Sequence, residues 1–116
     1  MSLPLTKKVN KLLELLFEEP LLSKLARRLE IEAAENIPFH NNSKSADMDR
    51  IRFSILKVIA TNVDSEENAF DLAKTDWRDL FVAAGFADDA NEHKNWYRTI
   101  TKKKLNKTPW WDFWKR

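Results

Sequence analysis

The chain has 116 residues, a length that one domain fills, and is 43% hydrophobic and 33% charged with a net charge of +2. It has no cysteine, which removes disulfides, thiolate catalysis and cysteine-held metals. It has one glycine, too few for the loops that cradle phosphates and dinucleotides, or for the many tight turns of an all-β fold.

Val9, Leu12, Leu13 and Leu16 fall at i, i+3, i+4 and i+7, so the spacing predicts a helix over residues 6–18. Leu15 and Phe17 widen its apolar face. Pro20 breaks that helix and suits the first turn of a second. The second carries Leu22, Leu25, Ala26, Leu29 and Ala33 on one stripe, with Lys24, Arg27, Arg28, Glu30 and Glu32 off it, and should stop near Asn36. Short spacing makes the two an antiparallel pair. Residues 36–46 read as a loop, rich in turn formers and without a period, anchored by Ile37 and Phe39.

A third helix is expected over residues 47–62, with Met48, Ile51, Ile55 and Ile59 on one face. Residues 51–56 also alternate as a strand would, and length favours the helix. Asp64 to Glu67 reads as a capping box, with Asp64 as N-cap and Glu67 reaching back, before a short helix to Lys74. The next helix begins at Thr75 or Asp76 and shows an apolar face of Trp77, Leu80, Phe81 and Ala84. Gly85 then stands where a left-handed residue ends a helix, with Phe86 next, the pattern of a Schellman stop. Asp88 is the expected cap of the last helix, whose inner face is His93, Trp96, Tyr97 and Ile100. The whole is an all-α fold: a single domain over residues 1–116, a compact bundle of five or six helices, closed by a docked aromatic tail at residues 107–116.

Charge is unevenly placed. Residues 1–93 hold 12 basic and 17 acidic side chains, net −5, whereas residues 94–116 hold 8 basic and one acidic, net +7. Lys94, Arg98 and Lys102 recur every four residues, with Lys103, Lys104 and Lys107 beyond them. Such a stripe beside Trp and Tyr suits phosphate contacts, although a solvated helix face is the plainer reading. The tail, Trp110-Trp111-Asp112-Phe113-Trp114-Lys115-Arg116, has four aromatic residues in seven. Trp110, Trp111, Phe113, Trp114 and Arg116 are the candidate anchors, packing in cis, pairing two copies, or docking on a partner. A membrane interface is the weakest of these readings.

Residues 81–86 resemble the turn of a helix–turn–helix. The helix that follows would have to meet DNA with Asp88, Asp89 and Glu92 at its entry end, and three acids there repel phosphate. His40 and His93 lack the neighbours of a metal site, and no serine stands in a nucleophile elbow. No catalytic residue, metal or cofactor is therefore expected, unless the bundle hides a pocket that sets a histidine beside carboxylates. No apolar run approaches the roughly 18–20 residues of a membrane span, and the first eight residues lack a signal peptide's apolar stretch, so a cytoplasmic protein is expected. The functional expectation is a non-enzymatic protein-binding or adaptor protein, whose partner is another protein or a second copy of itself. The alternative is sequence-tolerant nucleic-acid binding through the basic last helix and the aromatic tail.

Overall fold

The structure, a computed structural model, describes residues 4–33 and 48–106, the last four of them by their backbone alone. Among these residues the fold is all-α, with six helices: α1 (Lys7–Leu16), α2 (Leu21–Glu32), α3 (Met48–Ala60), α4 (Glu66–Thr75), α5 (Trp77–Ala84) and α6 (Glu92–Asn106). The loop expected at residues 36–46 and the tail at 107–116 lie outside the described residues.

The first two helices start by different means. The Thr6 hydroxyl accepts the Val9 N–H at 3.3 Å and caps α1. Pro20 has no side-chain oxygen to offer α2, and Glu19 takes over that task. Its carboxylate accepts the Ser23 N–H at 3.0 Å and the Ser23 hydroxyl at 2.7 Å. The Glu19–Pro20 peptide is cis.

Helix α3 is the axis of the molecule and packs against α1, α4, α5 and α6. Ile51, Phe53, Ile55, Leu56 and Val58 are all buried, and so are Arg52 and Ser54 between them. A helix covered on every side has no exposed stripe. Residues 51–56 are therefore six consecutive buried positions, and they are helix, not strand. Val9, Leu12 and Leu13 of α1, Leu25 and Leu29 of α2, Ala69 and Phe70 of α4, and Leu80 and Phe81 of α5 complete the core. Each large side chain contributes about 1.5–3 kcal/mol on burial.

Arg52 is the cost of that central position. Its side chain is 1% exposed, and it donates to the Pro4 carbonyl at 3.1 Å, Ala33 at 3.1 Å and Leu29 at 3.4 Å. Leu29 lies in the last turn of α2 and Ala33 is its C-cap, and the Leu29 carbonyl also accepts the Ala33 N–H at 3.2 Å. One guanidinium thus closes the end of α2 and holds the segment that precedes α1.

Two expected caps are corrected. Ser65, not Asp64, caps α4: its hydroxyl accepts the Asn68 N–H at 3.1 Å, while Asp64 accepts the Asn68 side-chain amide at 2.6 Å. Glu67 does not reach back, because Arg28 of α2 holds it at 3.0 Å. Helix α6 starts at Glu92 instead of following Asp88. Asp89 folds a tight turn ahead of it, its carboxylate accepting the Asn91 N–H at 2.8 Å and its carbonyl the Glu92 N–H at 3.1 Å.

The Schellman stop of α5 forms as expected. Gly85 adopts φ +81°, the Phe86 N–H donates to the Phe81 carbonyl at 2.8 Å, and the Gly85 N–H donates to Val82 at 3.1 Å. No helix among the described residues is long and apolar enough to cross a membrane.

Candidate binding surfaces

The basic stripe of the last helix is on the outside. Lys94, Arg98 and Lys102 are exposed on α6, and Arg98 donates to the Asn95 side chain at 2.7 Å. Lys103 and Lys104 continue the same helix, but their side chains lie outside the described residues, as does Lys107. The aromatic anchors expected in the tail, Trp110, Trp111, Phe113, Trp114 and Arg116, are also outside them.

The fold adds a neighbour to the stripe. Helices α1 and α6 pack together, and the Lys8 ammonium stands 5.5 Å over the Tyr97 ring. Tyr97 in turn stacks on Phe53 of α3, with centroids 5.5 Å apart and ring planes 19° apart. Lys7, Lys8 and Lys11 of α1 are all exposed. The lysines near the start of the chain and the cations near its end therefore meet on adjoining helices.

A second surface was not visible in the sequence. Between the start of α3 and the outer side of α5 lies a cleft of about 320 Å³, lined by Arg50, Trp77, Arg78, Phe81, Val82 and Ala87. None of these six is acidic. The Arg50 guanidinium lies 4.3 Å over the Phe81 ring, and its Nη2 donates to the Phe86 carbonyl at 2.7 Å. The Arg78 guanidinium lies 4.6 Å over the Trp77 indole, and Trp77 meets Phe81 edge to face at 5.6 Å. Val82 is 64% exposed at the same cleft. Two cations over aromatic rings therefore border an apolar floor. Val82 was the one legible signal, an apolar residue off the Trp77–Leu80–Phe81–Ala84 face. Trp77, on the apolar face of α5, is half-buried and also lines the cleft.

Histidine contributes to packing. His93 is 1% exposed, with Phe53 at 5.4 Å and Phe86 at 6.3 Å, both in edge geometry. It does not line the cleft. Lys57 lies beside this cluster, 4.8 Å from the centroid of Phe86 and 5.7 Å from that of Trp96. Burial there pushes its ammonium pKa down, against the pull of Glu92. His40 is outside the described residues. Among those described, no three His, Asp or Glu side chains gather as a metal site would need.

The two surfaces differ in chemistry. The basic face offers exposed charge. The cleft offers shape, apolar area and two planar hydrogen-bond forks, the mixture that side-chain recognition uses. Comparison of the chain with family models, with curated proteins and with solved structures finds no match.

Proposed function

We propose that the protein is a non-enzymatic binding module for another protein, and that the α3–α5 cleft takes an apolar side chain flanked by a carboxylate. The observation that carries this reading is the pairing of Arg50 with Phe81 and Arg78 with Trp77 around exposed Val82. Trp and Arg are the residues in which binding energy concentrates. A guanidinium over a ring can still donate to a carboxylate, Arg50 having its Nη2 already on the Phe86 carbonyl, and such charge-assisted bonds are about twice as strong as neutral ones.

Size sets the strength. The cleft volume of about 320 Å³ is at the low end of ligand pockets, enough for one or two side chains. A contact that small falls below the ~1,000 Å² of a stable interface and belongs with transient complexes of about micromolar Kd.

Selection of a random peptide display library on the full-length chain tests the reading. The expected result is enrichment of peptides with a Leu, Phe or Trp one or two residues from Asp or Glu, lost on the Arg78→Glu variant with its helix content unchanged. No enrichment, or enrichment that survives Arg78→Glu and Trp77→Ala alike, overturns it.

A further inference from the structure

The lysines of α1 and the cations of α6 are far apart in sequence and adjacent in the fold. Lys8 and Tyr97 fix the line along which the two helices meet. Lys94 stands three residues before Tyr97 and Thr101 four after it, on one flank of α6, with Arg98 next beyond them. Lys11 stands three residues after Lys8 on α1, with Lys7 beside it. Exposed cations thus border the seam from both sides. Along the two helices acids are few, and exposed Asp88 and Asp89 stand ahead of the first turn of α6. Glu14 is the acidic residue within α1, and α6 has none after Glu92, which is half-buried. Asp49 meets the start of α1 through the Thr6 hydroxyl at 2.8 Å. Three further acids, Glu32, Glu66 and Glu67, are held by Arg28, Lys24 and Lys74 on the α2–α4 side.

We propose that α1 and α6 together form a face that binds the phosphate backbone of nucleic acid, with Lys7, Lys8 and Lys11 acting beside Lys94, Arg98 and Lys102. Among the described residues the face offers exposed cations and no exposed aromatic ring. Its aromatic ring, Tyr97, is engaged by Phe53 and Lys8 and is half-buried, so it is no platform for an unstacked base. Binding is therefore electrostatic, indifferent to sequence and set by counterion release. This surface is separate from the α3–α5 cleft, and the proposal does not depend on what the cleft binds.

Six phosphate contacts give a slope of log affinity against log salt near −5, or about a 10³-fold loss between 50 and 200 mM. The test is fluorescence anisotropy of a labelled 20-base-pair DNA duplex with the full-length protein over that range. Three proteins are compared: wild type, the triple variant Lys7→Gln, Lys8→Gln and Lys11→Gln, and the same three positions changed to Arg. Each lysine that contacts phosphate contributes about one unit to the slope. The Gln variant should therefore bind at least tenfold more weakly at 50 mM with a slope shallower by about three, and the Arg variant should match wild type. A second duplex of unrelated sequence should bind within about twofold. Circular dichroism confirms that the Gln variant is folded, and an Lys94→Gln, Arg98→Gln, Lys102→Gln variant gives the same comparison from the other helix. Equal binding by wild type and the α1 Gln variant overturns the shared face. No binding of the duplex at 50 mM overturns the nucleic-acid proposal. So does stronger binding to vesicles containing phosphatidylserine or to polyglutamate than to the duplex, which would assign the face to a membrane or an acidic protein.

Discussion

Arg28 and Glu32 face each other one turn apart on α2, with the Arg28 Nε 2.7 Å from one carboxylate oxygen and Nη2 3.0 Å from the other. The same guanidinium reaches Glu66 at 2.8 Å and Glu67 at 3.0 Å on α4 and covers the Phe70 ring at 4.1 Å. Lys74 closes the circuit on Glu32 at 2.7 Å. A pair that reads as two solvated charges on one helix is therefore a clasp between two helices.

That clasp sets an acid limit on stability. The hydrogen bonds from Arg28, and then from Lys74, hold the Glu32 carboxyl at about 2 against the opposing effect of burial. The usual value is 4.5, so the folded state holds the proton less tightly than the unfolded chain does. The stabilisation is complete above that usual value and is lost as pH falls towards 2. Because both side chains are partly covered, Glu32→Gln should cost about 1–2 kcal/mol at pH 7 and almost nothing near pH 2. Urea unfolding of both proteins across that range measures it. A difference that is constant with pH would show that the charge of Glu32 is not the source.

Arg52 should be harder to replace. Its guanidinium donates to the Pro4, Leu29 and Ala33 carbonyls, of which Leu29 also accepts the Ala33 N–H. Burial opposes its charge, while Asp49 and Glu30 favour it. Arg52→Met keeps much of the packing and removes these buried bonds, a loss of about 3 kcal/mol or about 15 °C in Tm. Arg52→Lys should recover less than half, because an ammonium cannot span three carbonyls as a planar fork does. Thermal unfolding of the two variants distinguishes these outcomes.

These two arginines mark where sequence reasoning stops. Amphipathic spacing located α1, α2 and α5, because each has one covered face and one exposed face. The Schellman stop was legible because a single glycine followed by a large apolar residue has few other uses. α3 was ambiguous for a physical reason: six covered positions in a row carry no period. The start of α6 was misplaced because Asp89 builds a turn before the helix instead of capping it. Neither surface could be drawn whole. The cleft needs Arg50 of α3 brought to Trp77 and Arg78 of α5, and the basic face needs α1 laid on α6. Both are long-range pairings, which local pattern does not encode.

Gly85 tests the stop of α5 in isolation. A Cβ there would come 3.6 Å from the Lys57 ammonium, an ordinary contact, so space is not the constraint. The constraint is φ +81°, which costs a side chain roughly 1–2 kcal/mol. Gly85→Ala should therefore lower Tm by about 5–10 °C. Gly85→Asn should lower it by less, because Asn tolerates the left-handed region. Equal losses for the two would mean that crowding, not backbone conformation, decides the position.

Val82 separates binding from stability in the α3–α5 cleft. Its side chain is 64% exposed on α5, so replacing it removes little from the core. Glu has the better helix propensity, by a few tenths of a kcal/mol. Val82→Glu should therefore leave Tm within about 3 °C of wild type. The same change puts a carboxylate at the rim where an acidic peptide would arrive, and it competes for Arg78 four residues earlier on the helix. A peptide selected on the wild-type cleft should lose at least tenfold in affinity for this variant, measured by titration calorimetry, while Val82→Lys should keep or improve it. If both variants bind as wild type does, the peptide sits elsewhere and the cleft is not the docking site.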